Sequence, residues 1–422
     1  MCSELFRIPI ELAGIPIFGI GVLLAVWLIG GGAWVVVLSR HSSRPAEAMS
    51  YLPGLAIGAI AIGLLPQLFP DGLPIRGYGV MVLSGSIAGL MLAAYRARQM
   101  DLNPEVIYSL AFGMFLCGIV GARLFYVIEY WETRFQFDNW RQTLLEVVKF
   151  TEGGLVVYGS LIGATVAFAW FTRRHRLPPL AVADLIAPSL LVGLAFGRIG
   201  CLLNGCCYGG ESNMPWAISF PHQSMTYAEQ ASEGRLLGLR LAPNSADDPR
   251  AKIAEVEAGS IAERAGAQPG NVIVAINGQT VQNLTETRDA LLFNSAGPLP
   301  VRLKSSEGAV FELPTDDLPL RSRPVHPTQI YSAVHAALLA WVLWSFYPFR
   351  RCDGQVTALM LTVYPISRFL LEMIRVDESA VFGTGLSISQ NISLGLLAAV
   401  LVLWGYLRLN PQGPTVFQEM PN

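Results

Sequence analysis

Long apolar stretches constrain this chain more than any other feature of its sequence. Windows long enough to cross a bilayer, about 20 residues each, fall at 12–38, 52–69, 75–95, 105–128, 154–172, 181–203, 328–347, 355–374 and 387–408. Apolar residues make up 52% of the 422 residues and charged residues only 14%, far from the balance of a soluble globular chain. The pattern predicts an α-helical integral membrane protein with about nine spans.

The charges of the short loops predict how these spans are oriented. Arginines are concentrated in alternate loops: Arg40 and Arg44, Arg96 and Arg98, Arg173, Arg174 and Arg176, Arg350 and Arg351, and Arg408. By the positive-inside rule these loops face the cytoplasm. The intervening segments, which mix acids with bases, lie around Asp71 and at 129–153, 205–327 and 376–386. We expect them on the outer face of the membrane.

A long polar insertion between the sixth and seventh spans has the texture of a small α/β domain. It contains a strand at 271–276, a tight turn at Asn277 and Gly278, a helix, and a hairpin near 300–314. Segment 236–313 resembles a bacterial PDZ domain, above all in "GSIAERAGAQPGNVIVAINGQTV". The resemblance implies that a peptide adds to a sheet edge. Its carboxylate would be held by backbone amides at Leu237, Gly238 and Leu239. A spacer without a peptide ligand is the alternative.

Charged side chains inside the apolar windows mark a candidate site. An arginine in a bilayer is costly and needs a partner, which applies to Arg123, Arg198 and Arg368. Arg368, Glu372 and Arg375 fall at i, i+4 and i+7, so they share one helical face. Glu372 can neutralise one arginine and orient the other, which leaves a net positive face suited to a phosphate. A purely structural ion pair is the alternative.

The stretch "FGRIGCLLNGCCYGG", 196–210, ends the sixth span with an arginine and several thiols. Arg198, one turn before Cys201 and two before Asn204, shares a face with them as the helix ends at Gly205. The thiols are Cys201, Cys206 and Cys207. They allow a metal site, a disulfide or simple packing. No histidine stands at metal-site spacing, so we predict packing or a disulfide, and no metal or cofactor.

Several separated stretches, in this order, resemble the prolipoprotein diacylglyceryl transferase family. They are "PIRGYGVMV" at 74–82, "EGGLVVYGSLIGA" at 152–164, "DLIAPSLLVGLAFGRIGCLLNG" at 184–205, "HPTQIYSA" at 326–333 and "SRFLLEMIR" at 367–375. The resemblance implies a seven-helix core that transfers a diacylglyceryl group from phosphatidylglycerol to the lipobox cysteine of a prolipoprotein. A thioether forms and glycerol phosphate is released. It also implies the bacterial inner membrane, with the active-site mouth and the PDZ-like domain on the periplasmic face, and no nucleic-acid partner.

The same resemblance implies a division of the chain and a set of site residues. The parts are two additional spans (1–72), the first part of the membrane core with an outer head segment (73–235), the PDZ-like domain (236–313), the last three core spans (314–410) and a tail (411–422). The catalytic residues would be Arg198, Arg368, Tyr158 and Glu372. The substrate-binding residues would be Tyr78, Asn204, Gly205, His326, Tyr331 and Arg375.

The chain departs from the family pattern at two places. Tyr158 stands where the family usually has a histidine, and tyrosine, with an ordinary pKa of about 10, is a poor base at neutral pH. Cys201 and Cys206 stand where the family commonly has an asparagine and an acid. In one hypothesis a nearby arginine lowers the pKa of Tyr158, which acts as the base. In the other, Tyr158 only hydrogen-bonds, and His326 or the substrate's own thiolate takes over.

These departures leave a second function open. It is a catalytically impaired membrane protein on the same scaffold that binds lipid or peptide, with the PDZ-like domain recruiting envelope proteins. A protease is disfavoured because the chain lacks an "HExxH" helix and a "GxSxG" turn. A transporter is disfavoured because no internal repeat is seen among the spans.

Overall fold

The computed structural model describes most of the chain. The described residues are 4–12, 14–41, 52–136, 139–149, 154–245, 247–295, 300–375, 383–410 and 413–415. Arg44, most of the predicted tail at 411–422 and much of the predicted outer segment 376–386 therefore lie outside the described residues. The chain divides into two compact units, Met1–Val80 and Met81–Asn422.

The first unit combines short strands with two apolar helices. Its elements are β1 (Glu4–Ile8), β2 (Glu11–Leu12), β3 (Ile15–Pro16), α1 (Val22–His41), α2 (Leu52–Leu68) and β4 (Leu73–Arg76). Strand β1 pairs antiparallel with β4, β2 pairs with β3, and α1 packs against α2. The first predicted span, 12–38, therefore begins too early. Its helix starts at Val22 because the preceding residues pair as strands and Gly19 has a left-handed φ of +73°.

The second unit begins with the first helices of a membrane bundle. They are α3 (Gly77–Gln99), whose first turn belongs to the first unit, α4 (Pro104–Glu129), α5 (Trp131–Arg134), α6 (Trp140–Val148), α7 (Val157–Arg174) and α8 (Pro179–Asn204). Asn139 and Asn103 accept backbone hydrogen bonds at the starts of α6 and α4, as N-cap residues do. A left-handed Gly205 ends α8.

Helices α4 and α7 pack at a distance that only glycine allows. A Cβ atom on Gly159 would lie 2.3 Å from the carbonyl oxygen of Gly121, and one on Gly163 would lie 2.1 Å from that of Cys117. Small residues let membrane helices approach this closely. The contact fixes the first turn of α7, which carries Tyr158.

A head segment and an inserted α/β module follow α8. Their elements are α9 (Met225–Ser232), a 3₁₀ turn (Arg235–Leu237), β5 (Leu239–Pro243), β6 (Ala251–Val256), α10 (Ile261–Arg264), β7 (Ile273–Ile276), β8 (Gln279–Thr280), α11 (Leu284–Ser295), β9 (Val301–Ser305) and β10 (Val310–Leu313). The strands form an antiparallel β5-β6 pair and a four-stranded sheet in the order β10-β9-β7-β8. One hydrophobic core extends from Leu237 to Leu313 and gives the module an interior of its own.

Three helices complete the bundle: α12 (Thr328–Phe346), α13 (Gln355–Glu372) and α14 (Ile388–Leu409). Helix α8 packs on α12, and α13 packs between α12 and α14. A buried carboxylate ties α8 to the start of α13, because Asp184 accepts hydrogen bonds from the amides of Gly354 and Thr357 at 2.8 Å. This contact sets the alignment of α8 against α13, the helices that carry Arg198 and Arg368.

Each predicted apolar window holds a helix, so the prediction of an α-helical membrane protein is confirmed. Within the described residues, five helices are long and apolar enough to cross a membrane: Gly77–Gln99, Pro104–Glu129, Pro179–Asn204, Thr328–Phe349 (α12 with the 3₁₀ turn that follows it) and Ile388–Leu409. Helices α1 and α2 contain shorter apolar runs. The chain is a multi-pass membrane protein.

Candidate functional site

The end of α8 places Arg198, which has no partner among the described residues, near a tightly held turn. Within the described part of the chain, half-buried Arg198 makes no hydrogen bond or salt bridge. Seven residues on, Gly205 turns the chain, and Thr226 Oγ1 donates to its carbonyl oxygen at 2.6 Å. Asn204 Nδ2 lies 3.3 Å from the sulfur of Met225 on α9. A guanidinium in this setting is open to an anion from outside the chain.

The loop after Gly205 is hydrogen-bonded to the starts and ends of other helices. At the start of α12, Thr328 Oγ1 donates to the carbonyl oxygen of Cys207 and Gln329 Nε2 donates to that of Cys206, both at 2.7 Å. The Gly209 amide donates to the carbonyl oxygen of His326. A further amide, from Gly210, donates to the carbonyl oxygen of Ile374 just beyond α13. The loop therefore brings together the C-terminal ends of α8 and α13 and the N-terminal end of α12.

The predicted charged residues form an ion-pair network at the C-terminal end of α13 and just beyond it. Arg368 Nη1 lies 2.6 Å from Glu372 Oε2, and Arg375 Nε lies 3.9 Å from the same oxygen. The Glu372 side chain is only 3% exposed. One buried carboxylate thus lies between two guanidinium groups. The i, i+4 pair lies on one helical face as predicted, but the prediction of a shared face is wrong for Arg375, because α13 ends at Glu372 and Arg375 lies in the segment that follows.

Tyr158 joins this network through a serine that the sequence analysis missed. Arg368 Nη2 donates to Ser389 Oγ at 2.8 Å, and the Tyr158 hydroxyl lies 3.5 Å from the same oxygen. Ser389 lies in the first turn of α14, where Ser387 and Gln390 form a capping box. That capping signal predicts a helix start, but only the packing of α14 on α13 brings its serine to Arg368.

Electrostatic proximity to Cys207 and a backbone pairing relate the two arginines of the predicted catalytic set. Arg198 and Arg375 both act electrostatically on Cys207. Gly209 pairs as an isolated β-bridge with Arg375, which shares Glu372 with Arg368. The structure therefore brings Arg198, Arg368, Glu372, Arg375 and Tyr158 to one end of the bundle.

Of the other predicted substrate-binding residues, His326 and Tyr331 lie beside the loop that follows α8, whereas Tyr78 belongs to the first unit. His326 Nδ1 lies 3.5 Å from the Tyr331 hydroxyl, which accepts a hydrogen bond from the Trp216 indole at 2.7 Å. This aromatic group lies beside the loop, because the backbone of His326 pairs with Gly210. Tyr78 is the second residue of α3, belongs to the first unit and is 45% exposed.

The three thiols converge, which the sequence analysis did not anticipate. The Sγ atoms of Cys201, Cys206 and Cys207 all lie within 4.8 Å of one another, and all three thiols are free. The turn at Gly205 produces this arrangement, because the amides of Gly205 and Cys206 both donate to the carbonyl oxygen of Cys201.

In the inserted module, the amides predicted to hold a peptide carboxylate already have acceptors. Leu237 and Leu239 donate to the carbonyl oxygen of Gly234 at 3.0 Å, and Gly238 donates to that of Arg235 at 3.1 Å. A left-handed Gly238 closes this turn. None of the three amides is left over for a carboxylate in this conformation. By contrast, β5 is paired only with β6 among the described strands.

Fold and site together define a multi-pass membrane protein with a group of arginines, Arg198, Arg368 and Arg375, at one end of its helix bundle. Comparison with known proteins gives this class a family. The family model described as "Prolipoprotein diacylglyceryl transferase" matches residues 66–406. The chain belongs to the prolipoprotein diacylglyceryl transferase family, which confirms the resemblance and the predicted class of enzyme.

Individual relatives agree with this assignment. A protein of Rhodopirellula baltica, named phosphatidylglycerol–prolipoprotein diacylglyceryl transferase, is 37% identical over 95% of this chain and 88% of its own length. A protein of the same name from Trichormus variabilis is 32% identical, over 35% of this chain and 50% of its own length. A third, from Clostridium perfringens, is 33% identical over 39% of this chain and 61% of its own. The chain thus spans only about half the length of the latter relatives.

Proposed function

We propose that this chain transfers a diacylglyceryl group from phosphatidylglycerol to the lipobox cysteine of prolipoproteins, and that Arg198 and Arg368 hold the phosphate that departs. Family membership supports the reaction. The observation that carries the site is that Arg198 has no anionic partner within the described residues, yet lies near Cys207, as does Arg375 of the ion-pair network at the end of α13.

Charge is the main contribution of these residues. Arg198, Arg368 and Arg375 carry three positive charges against the single carboxylate of Glu372, a net charge of +2. A phosphodiester carries one negative charge, and guanidinium groups match its oxygens with paired donors. In a site that excludes water, such preorganised donors stabilise charge that develops on a leaving group. Glu372 acts as a positioning residue, since it fixes the directions of Arg368 and Arg375.

The reaction needs one bond to form and one to break. The substrate cysteine sulfur attacks the glycerol carbon, a C–S bond forms, and the C–O bond to phosphate breaks. Its electron pair leaves with the phosphate oxygen, which Arg198 and Arg368 neutralise as glycerol phosphate departs. An unperturbed cysteine has a pKa of about 8.5, and nearby guanidinium groups favour its thiolate. The thiol proton is released to water at the mouth of the site.

In this scheme Tyr158 orients the network rather than accepting the proton. Its hydroxyl lies at the limit of hydrogen bonding from Ser389, one hydroxyl removed from Arg368. His326, whose ring faces Tyr331, borders the mouth. We place this mouth on the periplasmic face of a bacterial inner membrane, because the arginine-rich loops mark the opposite side as cytoplasmic.

Mass spectrometry of a lipobox-containing peptide, incubated with the purified chain and phosphatidylglycerol, tests the proposal. A mass gain of one diacylglyceryl unit on the peptide cysteine is expected, and none with the Arg198→Ala variant. The matched control is Arg408→Ala, which removes an exposed arginine at the end of α14. Phosphatidylglycerol that copurifies with folded protein, without any transfer, would instead establish the binding-only alternative.

We further propose that the inserted module, which resembles a PDZ domain, captures an extended peptide at the second edge of β5. Among the described strands this edge is unpaired, and an exposed strand edge is a ready template for an added strand. Because the turn amides are occupied, binding through the strand edge does not need a free carboxylate. A spacer role is the competing interpretation.

The peptide proposal has a direct test in the full chain. A labelled peptide library is first screened for binding, and the best binder is then compared with its C-terminal amide. Equal affinity for acid and amide is expected for strand-edge binding. If the amide binds with an affinity tenfold or more below that of the acid, the carboxylate is held by the amides of Leu237, Gly238 and Leu239 and the strand-edge proposal is wrong. No binding by any peptide would support the spacer.

A further inference from the structure

The convergence of three thiols beside the site has no role in the reaction described above. Cys201 lies in the last turn of α8, and Cys206 and Cys207 follow the turn at Gly205. Their Sγ atoms are mutually within 4.8 Å. Thiolates bind zinc at about 2.3 Å, so sulfurs that share one ion lie about 3.8 Å apart. Side-chain adjustments of about an ångström would complete such a site.

The backbone holds this arrangement before any ion arrives. Cys207 has a φ of +60°, a left-handed conformation that is costly for any residue except glycine. The donors on α12 that fix the carbonyl oxygens of Cys206 and Cys207 come from Thr328 and Gln329, which are 1% and 0% exposed. The loop therefore keeps both thiols on the side of Cys201.

The chemistry of the ligand set is uniformly soft. Within the described residues no histidine, aspartate or glutamate joins the three sulfurs. Thiolates without oxygen or nitrogen ligands select Cu(I) and Zn(II) over hard cations. A structural zinc site takes four protein ligands, whereas the described residues offer three here. This count favours an ion that accepts three-coordination.

The surrounding charge also suits a metal-thiolate group. Three thiolates and one Cu(I) ion carry a net charge of −2, and Arg198 and Arg375 both interact electrostatically with Cys207. Their two positive charges offset that of the occupied site. A disulfide would use only two of the three convergent sulfurs, and adjacent cysteines such as Cys206 and Cys207 are poor partners for each other.

We propose that Cys201, Cys206 and Cys207 together bind one soft metal ion, Cu(I) in preference to Zn(II). All three half-buried thiols contribute, and each releases its proton on binding. The site lies beside the arginines assigned to the phosphate, and its test does not require transferase activity.

The test uses the full chain in detergent, reduced and stripped of metal. It is titrated separately with Cu(I) in a competing chelator and with Zn(II). One ion per chain is expected, with a thiolate-to-metal charge-transfer band and tighter binding of Cu(I). Maleimide labelling followed by peptide mass spectrometry should show protection of Cys201, Cys206 and Cys207 by the ion. The ion should leave the labelling of Cys117 on α4 unchanged.

Variants make the assignment specific. Cys206→Ser and Cys207→Ser should each weaken binding at least tenfold, whereas Cys117→Ser should leave it unchanged. The labelling of the unmodified chain needs no variant to fold. Absence of stoichiometric binding, or equal loss with Cys117→Ser, would overturn the site. Tighter binding of Zn(II) would overturn the assignment of a three-coordinate Cu(I) site. A disulfide that forms in air and prevents both ions from binding would overturn the metal site and replace it with a disulfide.

Discussion

Arg368 and Glu372 form a salt bridge of 2.6 Å across one turn of α13, and the Glu372 side chain is only 3% exposed. The same carboxylate oxygen lies 3.9 Å from Arg375. A buried charge must be paired, because leaving it alone in a medium of low dielectric constant is costly. Glu372 thus makes it possible to keep two arginines next to each other inside the protein.

Replacing Glu372 by glutamine should therefore lower the stability of the folded protein as well as its rate of diacylglyceryl transfer. The carboxylate disappears while both guanidinium groups remain buried, and breaking such a pair typically costs about 3–5 kcal/mol. Thermal unfolding in detergent should show a clear drop in the midpoint, together with reduced transfer. Glu312→Gln, in an exposed pair with Arg302, is the control and should change the midpoint little. A Glu372→Gln protein as stable as the control would contradict the role assigned to the carboxylate.

Arg198→Lys tests whether the phosphate needs a guanidinium rather than a positive charge. Lysine keeps the charge but lacks the planar pair of donors. We expect transfer to fall by about 100-fold, the scale of losing one preorganised donor to a developing oxyanion. Steady-state transfer rates on a lipobox peptide measure this, and folding should be unaffected because no protein partner within the described residues is lost. A lysine variant with full activity would show that charge alone suffices.

Tyr158→Phe separates the two hypotheses about the base. Removing the hydroxyl deletes only a 3.5 Å contact with Ser389, so we expect less than about a tenfold decrease in rate, well below the loss expected for a missing base. The pH–rate profile should still rise with ionisation of the substrate thiol. A decrease beyond about 100-fold, with loss of that profile, would make Tyr158 the base.

Gly163→Ala should destabilise the bundle more than any alanine placed at an open glycine. The added Cβ would meet the carbonyl oxygen of Cys117 at 2.1 Å, and backbone cannot yield as a side chain can. Overpacking of this kind typically costs about 1–3 kcal/mol. Gly113→Ala on α4 is the matched control, since no atom lies within 4 Å of its Cβ position. Comparable unfolding midpoints for the two variants would contradict the close contact between α4 and α7.

A pH effect should arise where the inserted module joins the head segment. Arg323 donates two hydrogen bonds of 2.5 Å to Glu257, and these bonds lower the pKa of that carboxyl below 4.5. A lowered pKa stabilises the folded state above the unfolded pKa, and this contribution is lost as the pH falls through the folded value. The Glu257 side chain is 54% exposed, so we expect less than about 1 kcal/mol.

The measurement is the unfolding midpoint of the full chain at pH 7 and at about pH 3, well below the unfolded pKa. Glu257→Gln should be slightly less stable than the unmodified chain at pH 7, and the difference should become smaller at the acidic end as the carboxyl takes up its proton. A difference that persists unchanged at low pH would mean that the ion pair is not its source.

The sequence alone determined the membrane architecture, because apolar length and the i, i+4 spacing of charges are local properties. Residues one turn apart in a helix, such as Arg368 and Glu372, are neighbours whatever the rest of the chain does. The end of α8 at Gly205 follows from the same local chemistry. Local patterns placed the start of α1 too early, because the first residues of the first apolar window pair as strands and the helix begins only at Val22.

Only the tertiary structure decided which helix ends meet. Ser389 reaches Arg368 because α14 packs on α13, and the three thiols converge because α12 fixes the loop that follows α8. The amides of the 3₁₀ turn in the inserted module are likewise engaged by a local fold that composition does not reveal. Such contacts depend on distances between segments far apart in the chain, and those distances are fixed by packing rather than by spacing along the sequence.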